Sequence, residues 1–423
     1  MKKICVLTAV ILNLALLKPV SFALDGKLIK ERPDFEGASI LLIEPRNTSS
    51  ILSFFKIGGI EEVDLFAEVM ATFMVEYYKD FDSRKFAEKV LEGGISEFDK
   101  FSRYANPKQQ KNEDESMEGY FYGIGTALGQ KTEEGENFIV VNSVMDGSPA
   151  MKAGIQSGDY LISISSDGDK NHAVSADDLS IDETVGLIRG KENSKVYLKI
   201  RRKDKELEFI ITRKEVKVAF LEGKSLKPGI GYARLREFGG KTTPNDFVVL
   251  VSSLQVNGAR VLILDLRNNP GGWLAWAVKI NNLFRVNDSR LPIVILKRKT
   301  KIEVMNGDAT TAGKLKNLRV ILLVNYGSAS ASEIVAAYLK NYCNALVIGK
   351  TTFGKGVGQS VFNLVSGGKL IVTSFEYFVG EKEIKVHEIG VKPDIEVDNI
   401  KEDKTDKQLQ RAIEEAEKIL NIK

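Results

Sequence analysis

The sequence contains few of the residues from which disulfides and metal sites are built. Its 423 residues include two cysteines and two histidines, and neither an HExxH nor a CxxC motif is present. Cys5 lies in a segment that is predicted to be removed, which leaves Cys343 alone and excludes an internal disulfide. The scarcity of cysteine and histidine also argues against a structural or catalytic zinc site. No metal or cofactor is therefore expected.

The first residues predict export from the cytoplasm. Lys2 and Lys3 precede an apolar run over 4–17, and Ser21 and Ala23 are the small residues that a signal peptidase requires. This pattern predicts a signal peptide over residues 1–23 that is cut after Ala23. The alternative is a membrane anchor, for which the run is short, because a bilayer span takes about 20 residues.

The charge balance gives no support for a nucleic-acid partner. The chain has 60 Lys and Arg against 57 Asp and Glu, a formal net charge of +3. The predicted signal peptide contains Lys2, Lys3 and Lys18 and no acidic residue. Its removal leaves a nearly neutral protein, without the excess of positive charge that nucleic acid attracts.

The hydrophobic pattern divides the chain into regions. Apolar residues spaced by three and four over 60–78 predict an amphipathic helix, and a second helix is predicted around 86–91. The polar segment 106–118 is predicted to be a loop or linker. Residues 120–215 resemble strands, whereas strands and helices alternate from 230 onward, which indicates an α/β core with buried parallel strands. Helical spacing returns at 403–421.

Three serines alternate at a predicted strand–helix junction, in "GSASASEIVAAYL". Ser330 and Glu333 form the S-x-x-E pattern of a helix capping box, which the short stretch alone favours. A serine nucleophile needs a base, and the two histidines, His172 and His387, lie in polar or loop-like segments. A Ser-His-Asp triad is therefore poorly supported.

A lysine is the stronger candidate for the base. Lys355 lies between two glycines in "TTFGKGVGQS", a segment without acidic residues, so few acidic neighbours are expected around its amine. Burial can lower the pKa of a lysine toward about 7–8, where the neutral amine can accept a proton. Gln359 is placed to fix this amine by a hydrogen bond. A glycine-flanked lysine is a weak signal by itself; a phosphate-binding loop is a rival interpretation, but GxxxxGK[ST] is absent.

The two segments together resemble the serine–lysine signature of the C-terminal processing, or tail-specific, proteases. In that family the middle serine of SASAS is the nucleophile, the lysine of FGKG follows 25 residues later, and a glutamine four residues further on orients the lysine. The same spacings join Ser330, Lys355 and Gln359 here. The resemblance implies that these residues are the nucleophile, the general base and the orienting residue. Ser328 and Ser332 are expected to cap or pack.

Other segments match in the family's order. "DLRNNPGG", residues 265–272, resembles the loop whose glycine amide forms part of the oxyanion hole. This implies Gly271 or Gly272 as one donor and the Ala331 amide as the second, since acyl transfer needs donors aimed at the developing oxyanion.

Three segments depart from the family pattern. Lys350–Thr351 replaces an acid that often precedes TFGKG, and the added cation is expected to help lower the pKa of Lys355. Ala275–Trp276 replaces an acidic pair after NPGG, and "DKFS", 99–102, stands where members often have DPHS. None of the three is expected to touch the proposed catalytic residues.

The strand-rich region resembles a PDZ domain of bacterial proteases. "YGIGTAL" precedes "VMDGSPAMKAGIQSGDYLISI", and the glycine-rich loop of such domains binds a peptide's terminal carboxylate through backbone amides. The resemblance implies Gly123, Ile124 and Gly125 as the peptide-binding loop, with the peptide added as a strand. The alternative is that the later glycines only make turns.

These features predict a mixed α/β and β fold: a crotonase/ClpP-like α/β protease core with an inserted PDZ domain and a helical N-terminal region. The predicted divisions are a signal peptide 1–23, a helical region 24–117, a PDZ domain 118–215, a serine protease core 216–402 and a C-terminal helix 403–423. The expected activity is that of a serine endopeptidase that cleaves periplasmic or exported proteins with apolar C-terminal tails. A homodimer and a periplasmic adaptor protein are candidate partners. The expected location is the periplasm, with peripheral attachment to the inner membrane left open.

Two other functional classes remain at this point. A non-catalytic PDZ scaffold on an inactive core would lack an intact Ser330–Lys355–Gln359 set. A crotonase-type acyl-CoA enzyme would share the fold, but the export signal argues against it because CoA is cytosolic.

Overall fold

The computed structural model describes residues 61–133, 136–286, 291–365, 367–398 and 405–421. The predicted signal peptide lies outside these described residues. The chain divides into two units, residues 1–90 and 91–423. No helix in the described ranges is long and apolar enough to cross a membrane.

The structure contains the predicted strand-rich region and, after it, the predicted region in which strands and helices alternate. The helices are α1 Glu61–Glu76, α2 Ser83–Phe98, α3 Pro107–Glu118, α4 Pro149–Ala153, α5 Ile181–Ile188, α6 Thr243–Val256, α7 Leu274–Phe284, α8 Ala331–Tyr342 and α9 Lys407–Asn421. The first ten strands are β1 Arg103–Ala105, β2 Tyr120–Gly123, β3 Thr126–Glu133, β4 Glu136–Val144, β5 Tyr160–Ser165, β6 Val174–Ser175, β7 Lys195–Arg202, β8 Lys205–Thr212, β9 Lys214–Lys217 and β10 Leu221–Lys227. The remaining strands are β11 Ile230–Leu235, β12 Val261–Asp265, β13 Val294–Lys297, β14 Ile302–Met305, β15 Arg319–Val324, β16 Leu346–Gly349, β17 Val357–Asn363, β18 Lys369–Val379, β19 Ile384–Lys385 and β20 Ile395–Glu396.

The first unit contains α1 and the start of α2, so the helix predicted over 60–78 is confirmed. None of the α1 residues is buried. Leu65, Phe66 and Val69 are about half exposed or more, at 62%, 49% and 57%. The rings of Phe73 and Phe86 stack with centroids 4.4 Å apart, which joins α1 to the start of α2.

The polar segment 106–118 is a helix, and its prediction as a loop or linker was wrong. The Asn106 side chain accepts the amides of Lys108 and Gln109, while the Gln109 side chain accepts the Asn106 amide. Gly119 ends the helix in the left-handed conformation. The caps satisfy the free backbone groups at both ends, so the helix forms without an apolar stripe.

The α/β core is built on a six-stranded sheet in the order β10-β11-β12-β15-β16-β20. All neighbouring pairs except β10–β11 are parallel. Alternate residues of β12 enter two hydrophobic clusters, one shared with α6, α7 and α8 and the other with α9. The sheet is therefore covered on both faces, which explains why β12 is apolar without alternation.

A second six-stranded sheet includes β17, the strand that follows Lys355. It runs β1-β18-β13-β14, and β17 and β19 also pair with β18. The alternation of strands and helices predicted that the segment "LPIVILKRK" would be a further strand of the parallel sheet. It instead forms β13 of this antiparallel sheet. The long strand β18 lies beside both β17, which follows Lys355, and β1.

The strand-rich region has its own sheet and its own hydrophobic cluster. Its strands run β3-β4-β5-β7-β8, with β6 paired to β5. Ile124, Leu161 and Val196 are among the cluster's buried members. β3 is an edge strand of this sheet and α5 packs beside it, which is the arrangement of strand and helix that a PDZ fold uses to bind a peptide.

Candidate active site

Ser330 lies between β15 and α8, at the N-terminal cap of the helix. Its backbone has φ 55° and ψ −114°, which is an unfavourable combination for a residue with a side chain. Such strain persists only where the surroundings impose it, and it is common at functional sites. The turn also places the serine directly before the Ala331 amide at the start of α8, where the helix dipole favours negative charge.

The two outer serines fix this turn to the loop after β12. Ser328 Oγ donates to the Leu266 carbonyl at 2.7 Å, and Ser332 Oγ donates to the Asn269 carbonyl at 2.9 Å. Both serines are fully buried. The three hydroxyls therefore differ in role, because the outer pair holds backbone in place while Ser330 stands between them.

Glu333 links the serine turn to the lysine loop. Its Oε2 accepts the amides of Ser330 and Lys355, each at 2.8 Å. Its Oε1 accepts the Thr352 hydroxyl at 2.5 Å and the Gly354 amide at 2.6 Å. The capping interaction predicted from S-x-x-E is thus present, with the Ser330 amide donating to the Glu333 carboxylate. The same buried carboxylate brings the backbones of the two proposed catalytic residues to one oxygen atom.

Tyr377 of β18 makes a second link between the same two segments. Its hydroxyl lies 2.6 Å from the Lys355 carbonyl oxygen and 3.1 Å from the Ser330 carbonyl oxygen. The side chain is almost completely buried. Burial, together with the charge of Glu333, raises the pKa of Tyr377 well above its usual value, so the hydroxyl keeps its proton and acts as a donor.

The Lys355 amine lies against Gln359 and an aromatic ring. Lys355 Nζ donates to Gln359 Oε1 at 3.2 Å, and it lies 4.8 Å from the centre of the Phe101 ring. Burial lowers the pKa of Lys355, and the charge of Arg103 lowers it further. The direction of this shift is the one that a lysine base needs.

The expected surroundings of Lys355 need three corrections. The expectation of few acidic neighbours was wrong, because the charges of Glu333 and Asp99 raise its pKa against the effect of burial. Lys350 gives no assistance, since it pairs with Glu396 at 2.9 Å and Asp398 at 2.7 Å.

The third correction concerns "DKFS". Phe101 of this segment contacts Lys355, so one departure from the family pattern does touch a proposed catalytic residue. Trp276, from the second departure, donates its ring N–H to the Gly240 carbonyl at 2.8 Å and thereby helps to hold the segment before α6.

The backbones of Ser330 and Lys355 are close together, because both amides donate to Glu333 Oε2, but their side chains are not hydrogen-bonded to each other in the described structure. Among the described residues, no hydrogen bond joins Ser330 Oγ to Lys355 Nζ. Catalytic hydrogen bonds are often long without substrate and tighten in the complex. In this structure the Lys355 amine is instead held by Gln359.

The hydrogen bonds distinguish between the two glycines predicted for the oxyanion hole. The Gly271 amide already donates to Asn269 Oδ1 at 2.9 Å. The Gly272 and Ala331 amides have no acceptor within the part of the chain that the structure describes. Gly271 lies directly against the serine turn, because an added Cβ would come within 2.8 Å of Ser330 Cβ. Of the predicted donors, Gly272 and Ala331 are therefore the two whose amides are free in the described structure.

The two histidines do not complete a triad with Ser330. His172 Nδ1 lies 2.7 Å from Asp167 Oδ2 in the strand-rich domain, and this carboxylate raises the pKa of His172. The backbone of His387 packs closely against Gly356. Neither ring hydrogen-bonds Ser330 in the described structure.

The predicted peptide-binding loop lies between β2 and β3. Gly123 ends β2 and is paired with Lys214 of β9, whereas the Ile124 and Gly125 amides have no acceptor among the residues described. Gly125 has φ 81°, and an added Cβ would come within 2.4 Å of Ser148 Cβ, so both the turn and its packing require glycine. The free amides stand immediately before the edge strand β3.

Several residues that shape the site carried little or no signal in the sequence. Glu333 was visible only as a helix cap, and Asn269 only as part of DLRNNPGG. The buried Asn269 amide donates to the Leu235 carbonyl at 2.8 Å while its oxygen accepts the Gly271 amide. Tyr377 and Phe101 reach the site only through the pairing of β18 with β17 and β1.

Known proteins share both the core and the strand-rich domain. A model of peptidase family S41 matches residues 229–397, and a PDZ domain model matches residues 140–202. A Staphylococcus aureus (strain COL) protein named "Probable CtpA-like serine protease" is 33% identical over 352 residues, which cover 82% of this chain and 68% of the relative. A Staphylococcus epidermidis protein of the same name is 32% identical over 330 residues, 78% of this chain and 64% of the relative. A solved Bacteroides fragilis chain that bears the S41 protease name aligns with a TM-score of 0.50 at 17% identity, over 81% of this chain and 93% of that one; this last similarity concerns the fold alone.

Proposed function

The chain belongs to peptidase family S41, as a serine-type peptidase with a PDZ domain, and we propose that Ser330 and Lys355 form its catalytic dyad. The observation that carries the proposal is the Glu333 carboxylate, one oxygen of which binds the amides of both residues. The backbones of two residues that are 25 positions apart in the sequence are thereby held at one oxygen atom.

The reaction is acyl transfer to serine. Neutral Lys355 takes the proton of Ser330 Oγ as the oxygen attacks the substrate carbonyl carbon. The resulting oxyanion is bound by the amides of Gly272 and Ala331. Lysine then gives its proton to the leaving amine as the peptide bond breaks, and water, activated by the same lysine, hydrolyses the acyl-enzyme ester. Gln359 holds the amine between these steps.

The dyad is tested with a serine-directed fluorophosphonate probe followed by peptide mapping. Ser330 should carry the label, and both Ser330→Ala and Lys355→Ala should abolish labelling and proteolysis, because nucleophile and base act as a unit. Lys355→Arg should also be inactive, since arginine stays protonated. Ser332→Ala is the matched control and should keep substantial activity. Label on Ser332, or an active Ser330→Ala variant, would show that another serine is the nucleophile.

The PDZ domain is proposed to select substrates by their apolar C-terminal tails. A tail added along the edge strand β3 would direct its terminal carboxylate at the free amides of Ile124 and Gly125. An apolar last residue gains about 25 cal/mol for each Å² that it buries. Docking there is expected to help align the Ser330 cleft, so that it raises turnover as well as affinity.

Tail selection is tested with one peptide in three forms: a free apolar C-terminus, an amidated C-terminus, and a last residue changed to Asp. The first form should be cut fastest by several-fold, because the other two lose the carboxylate contact or the apolar burial. Equal rates for all three would show that the tail is not recognised by this domain.

We further propose that the protein is exported to the periplasm and processes the C-terminal parts of exported proteins there. The support is the basic and apolar pattern of residues 1–23. A homodimer is proposed through α1, whose apolar side chains are largely exposed in the first unit. The face of α9 is already used, because Ala412 and Ala416 are buried on the core sheet. A periplasmic adaptor remains a candidate partner.

A further inference from the structure

The segment before β1 forms a tight turn that is built around one carboxylate. Asp99 Oδ1 accepts the amides of Phe101 at 2.8 Å and Ser102 at 3.0 Å. The same oxygen accepts the Thr373 hydroxyl at 3.1 Å. Residues Asp99–Ser102, here called the Asp99 turn, are therefore fixed both internally and to β18.

The Asp99 turn is attached at the position of β18 that faces Gln359. The Thr373 amide donates to Ser102 Oγ at 2.9 Å, and Ser102 is buried. In the β17–β18 pair, Thr373 lies opposite Gln359, at a β-bulge between Gly358 and Gln359. One strand position thus supports the glutamine that holds the Lys355 amine on one side and the turn that carries Phe101 on the other.

The structure assigns a positioning role to the Asp99 turn: it holds the Phe101 ring over Lys355, so that the ring keeps water from the amine and keeps the amine against Gln359. Phe101 is a positioning residue, since it acts on the base and not on the substrate. This inference rests on the proposed Ser330–Lys355 dyad.

Two effects of the ring on the lysine oppose each other. Attraction between a protonated amine and a ring face strengthens proton binding by about two- to thirtyfold. Burial of a lysine away from water weakens proton binding by up to about a thousandfold or more. Burial is also the largest of the causes that lower the pKa of Lys355. Removing the ring should therefore favour the protonated amine, which cannot act as a base.

Charged groups approach the lysine from several elements. The charged side chains that act on it, share its ring or border its loop are Arg103, Asp99, Lys100, Glu333 and Glu388, and the His387 and Tyr377 side chains also border the loop. Arg103 lowers the pKa of Lys355, and Glu333 and Asp99 raise it. Because substitutions of Phe101 leave all of these groups in place, a change in the pH profile of such variants reports on the ring.

The test is the pH dependence of Ser330 acylation by a small fluorophosphonate, measured on the full chain. A neutral base gives a rate that rises with pH through the lysine pKa. This rise is called the acid limb of the profile. In Phe101→Ala the acid limb should move to higher pH, with a several-fold loss of labelling rate at neutral pH that is recovered at alkaline pH. Phe101→Leu keeps apolar volume without a ring face, so its limb should not move upward.

Asp99→Asn gives a change of the opposite sign. The amide oxygen can still accept the hydrogen bonds of the Asp99 turn, but the negative charge that favours the protonated lysine is lost. Its acid limb should therefore move to lower pH. A role limited to packing would reduce the rates of these variants equally at every pH and would not shift the two limbs in opposite directions.

Lys355→Ala separates failure of this inference from failure of the proposed function. If Lys355→Ala still labels normally, the proposed dyad is wrong. If Lys355→Ala is unlabelled while the acid limb of folded Phe101→Ala is unmoved, the dyad stands and the role of the Asp99 turn is refuted. Thermal unfolding identifies which variants are folded. If Phe101→Ala does not fold, Phe101→Leu is used to test water exclusion. A labelling rate that rises only at higher pH in Phe101→Leu than in the unsubstituted chain would contradict the proposal that apolar volume at this position excludes water.

Discussion

Replacement of Glu333 by glutamine examines whether one carboxylate holds the backbones of Ser330 and Lys355, the proposed nucleophile and base, together. Glu333 is completely buried, and it accepts four hydrogen bonds of 2.5–2.8 Å. All four partners donate. Glutamine has almost the same shape, but its amide nitrogen cannot accept, so one side of the substituted group would face two donors.

The structure gives the size of the expected effect. Each buried donor left without an acceptor costs about 1–3 kcal/mol, so Glu333→Gln should lower the free energy of unfolding by about 2–6 kcal/mol. This is a large part of the roughly 5–15 kcal/mol typical of folded proteins. Tyr377→Phe leaves one acceptor, the Lys355 carbonyl, without its donor, because the Ser330 carbonyl also accepts two helix amides, and it should cost about 1–3 kcal/mol. Glu333→Gln should therefore destabilise the protein about twice as much as Tyr377→Phe, although both variants affect the same pair of segments.

Denaturant unfolding followed by tryptophan fluorescence measures this difference, because both tryptophans of the chain, Trp273 and Trp276, lie at the start of α7 in the core. Labelling of Ser330 by the fluorophosphonate is measured alongside. Glu333→Gln should also shift the acid limb of labelling to lower pH, since the Glu333 charge raises the pKa of Lys355. A loss of stability below about 0.5 kcal/mol with unchanged labelling would refute the reasoning, because buried donors cannot be left unpaired at so small a cost.

Two further outcomes are expected. Gly271→Ala should strongly reduce activity, since φ 109° is unfavourable for alanine and the new Cβ would come within 2.8 Å of Ser330 Cβ; Gly258→Ala, also at positive φ but in open space, controls for backbone strain alone, and equal loss in both variants would argue against a specific contact. Light scattering at micromolar concentration should give the mass of a dimer that Leu65→Asp with Val69→Asp converts to a monomer, whereas a monomeric unsubstituted chain would reject the dimer.

The parts of the fold that could be predicted are those in which the pattern of apolar residues is strong. β12 and β15 are almost continuously apolar because the sheet is covered on both faces, so their burial could be inferred from the sequence. The segment 106–118 had no such pattern. Its helix depends on the caps at Asn106 and Gly119 and on contacts such as the ion pair of Glu113 with Lys369, a partner far away in the chain. The sheet to which β13 belongs could not be predicted either, because an apolar strand fits the parallel and the antiparallel sheet equally well.

The candidate site was predictable where one short motif contains the chemistry. The segments around Ser330 and Lys355 have distinctive compositions, and their spacing adds to the signal. The environment of the lysine did not follow from these motifs, because Phe101 and Arg103 reach it through the pairing of β1 with β18. Local composition suggested few acidic neighbours, yet Glu333 comes from another element. A pKa depends on everything within a few ångströms, and most of those groups are distant in sequence.

The contacts at the site also explain why a strained serine can be maintained. The turn at Ser330 is held by hydrogen bonds from side chains to backbone groups: Ser328 and Ser332 bind the loop after β12, and Glu333 and Tyr377 bind the lysine loop. Bonds of this kind fix the position of the main chain on both sides of the nucleophile, so the energy of the unfavourable φ is offset by several buried interactions outside it. None of them uses the Ser330 hydroxyl or the Lys355 amine. The framework can therefore be rigid without holding the two side chains that are proposed to react, and substitutions in the framework should alter geometry and pH dependence before they remove the proposed chemistry.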